Sequence, residues 1–252
     1  MRRDPDADAD VDRAVYGVGN DYPASAELAL HSHRRGQLLH AARGAVAVST
    51  PQGAWVAPPE RAVWIPPGVP HAVRMIGPVS TRSVMVAAGM SGDLGRACKV
   101  IAVSPLFGLL LEEAANLPVE YDEAGRDGLI MRLVAAEIGR APVVPLAVPF
   151  PRNEVLAARC HAFLEAPDVR SGIDDWADGL GFNRRSFTRL FPRETGMSFA
   201  EWRRQACLAV ALQRLSAGDA VTDIALDLGY ESPANFSTMF KRALGAPPSR
   251  HR

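Results

Sequence analysis

The sequence predicts a two-domain α+β chain: an N-terminal β-barrel or sandwich with a helical pair, then an all-α domain holding two helix-turn-helix units. Three observations carry that prediction. Residues 13–90 hold short apolar stretches punctuated by Pro and Gly, the texture of many short strands. After residue 91 the apolar spacing changes to threes and fours, the period of helices. Residues 153–252 contain an internal duplication.

The 252 residues carry 28 Lys+Arg against 28 Asp+Glu, with 48% apolar and 22% charged residues. That balance is ordinary for a globular protein and excludes a fibre, a low-complexity tail and a disulfide miniprotein. No apolar run approaches the ~18 residues of a spanning helix, so no membrane partner is expected. The start, Met1-Arg2-Arg3-Asp4-Pro5, lacks the apolar stretch of a signal peptide. Cys98, Cys160 and Cys207 lie far apart with no C-x-x-C, which suits reduced thiols in a cytoplasmic location.

Residues 1–12 carry Asp at 4, 6, 8, 10 and 12 with no hydrophobic period, and read as a solvated, disordered tail. A calcium loop would need Gly at its sixth position and Glu at its twelfth, and neither frame supplies them. Within 13–90, Val46–Thr50 runs through Pro51-Gln52-Gly53 into Trp55–Ala57, two strands about a tight turn. Further strands are expected at Ala62–Ile65, Ala72–Ile76 and Ser83–Ala87, separated by Pro66-Pro67-Gly68 and Gly77-Pro78. Over 91–141, Leu106, Leu109 and Leu110, then Leu129, Ile130, Leu133, Val134 and Ile138, describe two amphipathic helices. Such a pair suits either a subunit contact or an internal core face. Pro142, Pro145, Pro149 and Pro151 mark a linker at 142–152.

The duplication is the strongest signal. Ala177-x-x-Leu180-Gly181-Phe182 matches Ala225-x-x-Leu228-Gly229-Tyr230 at an offset of 48. Phe187-x-x-Leu190-Phe191-x-x-x-x-Gly196 matches Phe236-x-x-Met239-Phe240-x-x-x-x-Gly245 at an offset of 49, so the second turn is one residue longer. In each copy a small Ala permits close helix approach, and a turn Gly can take positive φ. Asn183 and Ser232 stand at N-cap positions, with Pro233 at a first helical position. Between the copies, Ser198-Phe199-Ala200-Glu201 is a capping box opening a helix to about Ala217, stopped by Gly218. At ~1.5 Å per residue that helix is a rod of ~28 Å, able to hold two reading helices about one DNA turn apart. From Asn183 to Arg204 six arginines face only Glu194 and Glu201. A plain helical bundle with a solvated arginine face is the competing reading.

Residues 153–252 resemble the DNA-binding domain of AraC/XylS-family transcriptional regulators. The stretches that carry the likeness are Gly196–Arg204, Val221–Ala225, Leu228–Pro233, Phe240–Gly245 and Pro247–Arg250. The resemblance implies recognition helices at about 184–194 and 233–243. Arg185, Thr188 and Arg189, and in the second helix Ala234, Asn235 and Thr238, then occupy base-reading columns. Arg184, Arg193, Lys241 and Arg242 are placed for phosphates. Cys207 and Val210 depart from the family, which frequently has arginine there.

Four of the six histidines lie between 31 and 71. His31 and His33 share a face if the strand is extended, and His71 follows Pro66-Pro67-Gly68. With Gln37, they resemble the two metal motifs of the cupin superfamily, over residues 25–90. The departures are Gln37 where Glu is usual, Met75 where Asn often stands, and missing upstream glycines. Three readings stay open: a pocket holding a divalent ion (Zn, Ni, Fe, Mn or Cu), a metal-free pocket for a small organic effector, or histidines without a ligand. His40, His161 and His251 have no partners at ligand spacing.

The two likenesses together imply a bacterial regulator that binds double-stranded promoter DNA. Its N-terminal domain would sense a small effector or metal, and the helices within 91–141 would form a homodimer contact. Activation, through RNA polymerase, is the commoner behaviour of the family. The alternative is a metal-dependent cupin enzyme of dioxygenase type with an accessory DNA-binding domain. No nucleophile spacing or phosphate loop supports catalysis, and no catalytic residue is expected.

Overall fold

The computed structural model describes residues 10–90, 95–144 and 146–250. Most of the stretch read as a tail, and His251, lie outside them. Residues 10–12 are held: Arg35 donates to the carbonyls of Val11 and Arg13 at 2.6 and 2.7 Å, and Val11 packs beside Tyr16. The described residues divide into two units, one within 1–50 and 55–145, the other within 51–54 and 146–252.

In the first unit an antiparallel sheet is built from β1 (Val15–Tyr22), β2 (Glu27–His31), β3 (Gly36–Thr50), β4 (Gly53–Ala57), β5 (Arg61–Ile65), β6 (His71–Val86), β7 (Lys99–Ala102) and β8 (Val143–Val144). The order runs β1-β6-β3-β5-β7-β8, with β2 also on β6 and β4 on β3. The expected hairpin about residues 51–53 is present as β3 and β4.

The expectation of two short strands broken at Gly77-Pro78 is corrected, because β6 runs through both without ending. Its partner explains why. The β3 register steps between Arg43↔Ser80 and Ala45↔Ile76, leaving Gly77, Pro78 and Val79 opposite Gly44 alone. Pro tolerates such a bulge, where its missing N–H breaks no ladder bond. Gly44 sits at φ +72°, and a Cβ there would lie 2.5 Å from the Pro78 carbonyl oxygen. Antiparallel pairing continues on both sides of the bulge, from Gly36↔Val86 to Ser49↔Ala72.

The helical pair is α1 (Pro105–Asn116) and α2 (Arg126–Arg140). Ser104 caps α1 by accepting from the Phe107 N–H. Phe107, Leu111 and Ala114, with Met131, Val134 and Ile138, share a core with Leu38, Trp64, Val84 and Ile101. The pair therefore belongs to the same core as the sheet rather than standing as a separate extension.

The proline-rich stretch is not free chain. Val143 and Val144 pair with Ile101 and Val100 of β7, and the unit boundary falls after residue 145. In the second unit, β9 (Ala147–Pro149) is followed by α3 (Glu154–Glu165), α4 (Ile173–Gly179), α5 (Arg184–Thr195), α6 (Phe199–Ala217), α7 (Val221–Asp227) and α8 (Pro233–Leu244). The Phe150 N–H donates to the Gln52 carbonyl, and the Trp202 indole to that of Pro149, both at 2.8 Å. No described helix is long and apolar enough to cross a membrane.

Candidate functional site

The two helix-turn-helix copies share a key turn bond. Phe182 N–H donates to the Ala177 carbonyl in the first turn, and Tyr230 N–H to that of Ala225 in the second. Gly181 and Gly229 take φ of +72° and +81°, the left-handed conformation the turn demands. Asn183 and Ser232 cap α5 and α8 by accepting from Ser186 and Asn235 N–H at 2.9 and 3.2 Å. Ala177 and Ala225, at equivalent places in the first helix of each copy, α4 and α7, are both fully buried.

Helix α5 buries Phe187, Phe191 and Thr195, one helical stripe, and α8 buries Phe236 and Phe240. The opposite stripes are exposed: Arg185, Thr188 and Arg189 on α5, Ala234, Asn235 and Thr238 on α8. Arg184, Arg193, Lys241 and Arg242 are exposed as well. Arg184 is paired with Asp174 of α4 at 2.5 Å, whereas Arg185 and Arg189 enter no ion pair among the described residues. Cys207 is buried in α6, so this departure from arginine serves packing and not the outer surface. Burial pushes its thiol up to about 12, as it does those of Cys98 and Cys160, which disfavours the thiolate in each.

In the first unit, His31, His33 and His71 come together, their ligand atoms all within 4.8 Å of one another. The extended-strand argument for the first two does not hold as stated, because β2 ends at His31 and His33 lies beyond it. A bulge in β2 between Leu28 and His31, and a 2.8 Å bond from Gly68 N–H to the His33 carbonyl, bring them together instead. His31 Nδ1 donates to the Ala29 carbonyl at 2.7 Å and His71 Nδ1 to that of Val69 at 2.9 Å. Gln37 is buried beside them. Its amide nitrogen donates to Ser83 Oγ at 3.3 Å, and its Oε1 meets no donor among the described residues.

His31, His33 and Gln37 line a cavity of about 490 Å³. Sequence reasoning missed much of that wall, including Asn20, Tyr22, Thr81 and Ser83. Their inward alternation along two strands was the available signal, with Asn20 opposite Thr81. His40 is a core residue: it bonds the Arg61 carbonyl, and burial holds its imidazole below the ordinary range.

Residues 176–252 match the family model for a helix-turn-helix domain, and residues 14–133 that for an AraC-like ligand binding domain. The HTH-type transcriptional regulator NimR of Escherichia coli K12 is 30% identical over 222 residues, covering 88% of this chain and 81% of that protein. The chain belongs to the AraC family of transcriptional regulators. The regulatory protein SoxS of Salmonella typhimurium is 35% identical over 86 residues, 34% of this chain and 80% of its own. Among solved structures, ToxT of Vibrio cholerae covers 95% of this chain and 98% of itself at 11% identity, with a TM-score of 0.39.

This AraC-family protein is thus a DNA-binding transcriptional regulator with a ligand-binding N-terminal domain. The competing reading of the C-terminal region as a plain bundle with a solvated arginine face loses its footing. NimR is a transcriptional regulator and SoxS a regulatory protein.

Proposed function

We propose that α5 and α8 read promoter DNA, α5 through Arg185, Thr188 and Arg189, α8 through Ala234, Asn235 and Thr238. The observation that carries this is their common exposure on stripes opposite the buried aromatic residues of each helix. Arginine forms bidentate bonds to guanine and asparagine to adenine, so α5 is the stronger reader. Arg184, Arg193, Lys241 and Arg242 hold phosphates, and Arg184 exchanges the Asp174 carboxylate for one on binding.

Arg189→Ala is expected to cost roughly 1–3 kcal/mol and to flatten base preference at one operator position. Gel-shift titration against a set of operators substituted one base at a time reads both. Unchanged affinity and preference at every position would remove α5 from the major groove.

The cavity beside His31, His33, Gln37 and His71 receives the effector, and the protein acts by binding rather than catalysis. The effector controls promoter binding to the extent that it favours one conformational or oligomeric state over another. Contact with RNA polymerase then gives activation, in a cytoplasmic setting. A homodimer forms through α1 and α2, which bury one stripe in their own core and leave Leu106, Leu109, Leu129 and Leu133 exposed. Two linked chains on neighbouring half-sites gain avidity. Leu109→Glu is expected to halve the sedimenting mass while leaving the circular dichroism unchanged. A variant that stays dimeric would move the interface off these helices.

A further inference from the structure

Resting on the effector-pocket reading and deepening it, we propose that His31, His33 and His71 hold one divalent transition-metal ion, and that this ion is the receptor for a small anionic effector. The three imidazoles already converge, with ring centroids 4.3 to 5.2 Å apart. Nitrogens around a tetrahedral ion at about 2.1 Å stand about 3.4 Å apart, so closure asks for rotations of about an ångström. His31, at the end of β2 and only half-buried, is free to make the larger part of that movement.

The other ring nitrogens are arranged for the same end. Because a carbonyl can only accept, the bonds to Ala29 and Val69 place the proton of His31 and His71 on Nδ1. Nε2 then carries the lone pair, and the ring is fixed in orientation, the arrangement that carbonyl partners give metal-ligating histidines. Gln37 adds a buried amide oxygen, Oε1, that no donor among the described residues satisfies. Such an atom is costly to bury unless something meets it, and a cation or a metal-bound water does so. The donor set of imidazole nitrogens with one amide oxygen fits a first-row divalent ion.

Charge then names the effector. Three neutral imidazoles and a neutral amide leave the ion's two positive charges uncompensated in a poorly solvated place. Glu27 is the one acidic residue among those lining the cavity, and it stands in register with Arg74 across the strands. An anion supplied from solution completes the site. Leu28, Leu39, Val73 and Met75 give the same cavity an apolar wall. The fitting class is therefore a small carboxylate with an apolar body, its head on the metal and its body against that wall.

The test uses the full chain and Co²⁺ as a spectroscopic probe. One equivalent of Co²⁺ is expected to give visible d–d bands, and benzoate or azide to shift them. His71→Ala is expected to lose both responses. Gln37→Glu, which keeps the shape and adds a negative charge, is expected to bind Co²⁺ about tenfold or more tightly and benzoate about tenfold or more weakly. That reciprocal change distinguishes a charge-completed site from a folding defect. No Co²⁺ binding by the wild type overturns the proposal, as does Co²⁺ binding with bands indifferent to both anions. Benzoate binding equally well to metal-free wild type and to His71→Ala overturns it while leaving the effector pocket standing. The pocket reading itself falls if Met75→Trp, which fills the cavity, leaves benzoate binding unchanged.

Discussion

Trp176→Ala is expected to cost the C-terminal unit about 3–5 kcal/mol and to abolish DNA binding with it. Trp176 is 1% exposed and stands at the hub of the first helix-turn-helix. The rings of Phe163 on α3, Phe187 and Phe191 on α5, and Phe199 and Trp202 on α6 lie 4.8 to 6.5 Å from its own. The Arg159 guanidinium covers it at 5.4 Å. Removing the indole leaves a void bordered by three other helices, none of which can close it without dragging its neighbours. Against a total stability of about 5–15 kcal/mol, the loss removes a large share of the folded population. Urea unfolding followed by circular dichroism reads the cost, and gel shift reads the consequence. Lost DNA binding with an unchanged unfolding midpoint would show that Trp176 acts by some route other than packing.

Raising salt from 50 to 200 mM is expected to weaken operator binding about 150-fold per chain. Four phosphate contacts imply a slope of about −3.6 in log affinity against log salt, and a fourfold rise in salt converts it to that factor. The prediction is demanding because the whole chain is neutral, with 28 basic and 28 acidic residues. The net charge therefore contributes nothing to the attraction, and the slope is assigned to the arginines of α5 and the Lys241-Arg242 pair at the end of α8. Lys241→Ala and Arg242→Ala should each reduce the slope by about one, uniformly across operator sequences. Specific binding that is indifferent to salt would sink the assignment of these four side chains.

The C-terminal unit was legible because its signals act over a few residues. Asn183, Ser232, Gly181, Gly229 and Gly218 each determine a cap or turn within five positions of themselves, and each does so in the structure. The exception in that unit is Pro192, which stands inside α5 against the local rule. Phe191 and Thr195 are buried on either side of it, and that packing outweighs one lost backbone bond.

The N-terminal unit was legible in class but not in detail. Gly77-Pro78 looks like a strand end until β3 is laid beside it, and no window of sequence contains both. The histidine cluster was found by residue type, yet the strand geometry assumed for it was wrong, since His33 lies past the end of β2. Alternation along each strand marked the cavity wall only one strand at a time: Asn20 meets Thr81 through a pairing sixty-one residues apart.

The two helices proposed to read DNA, α5 and α8, share a scaffold but not a vocabulary. One offers arginines at Arg185 and Arg189, the other Ala234, Asn235 and Thr238 after a turn one residue longer. A palindrome would waste that difference. The stretch of duplex matched to one chain has a head and a tail, and inverting it puts each helix against the wrong words. Such a binding site works like an arrow on the chromosome: turning it round by 180° changes which way the bound protein faces the start of transcription.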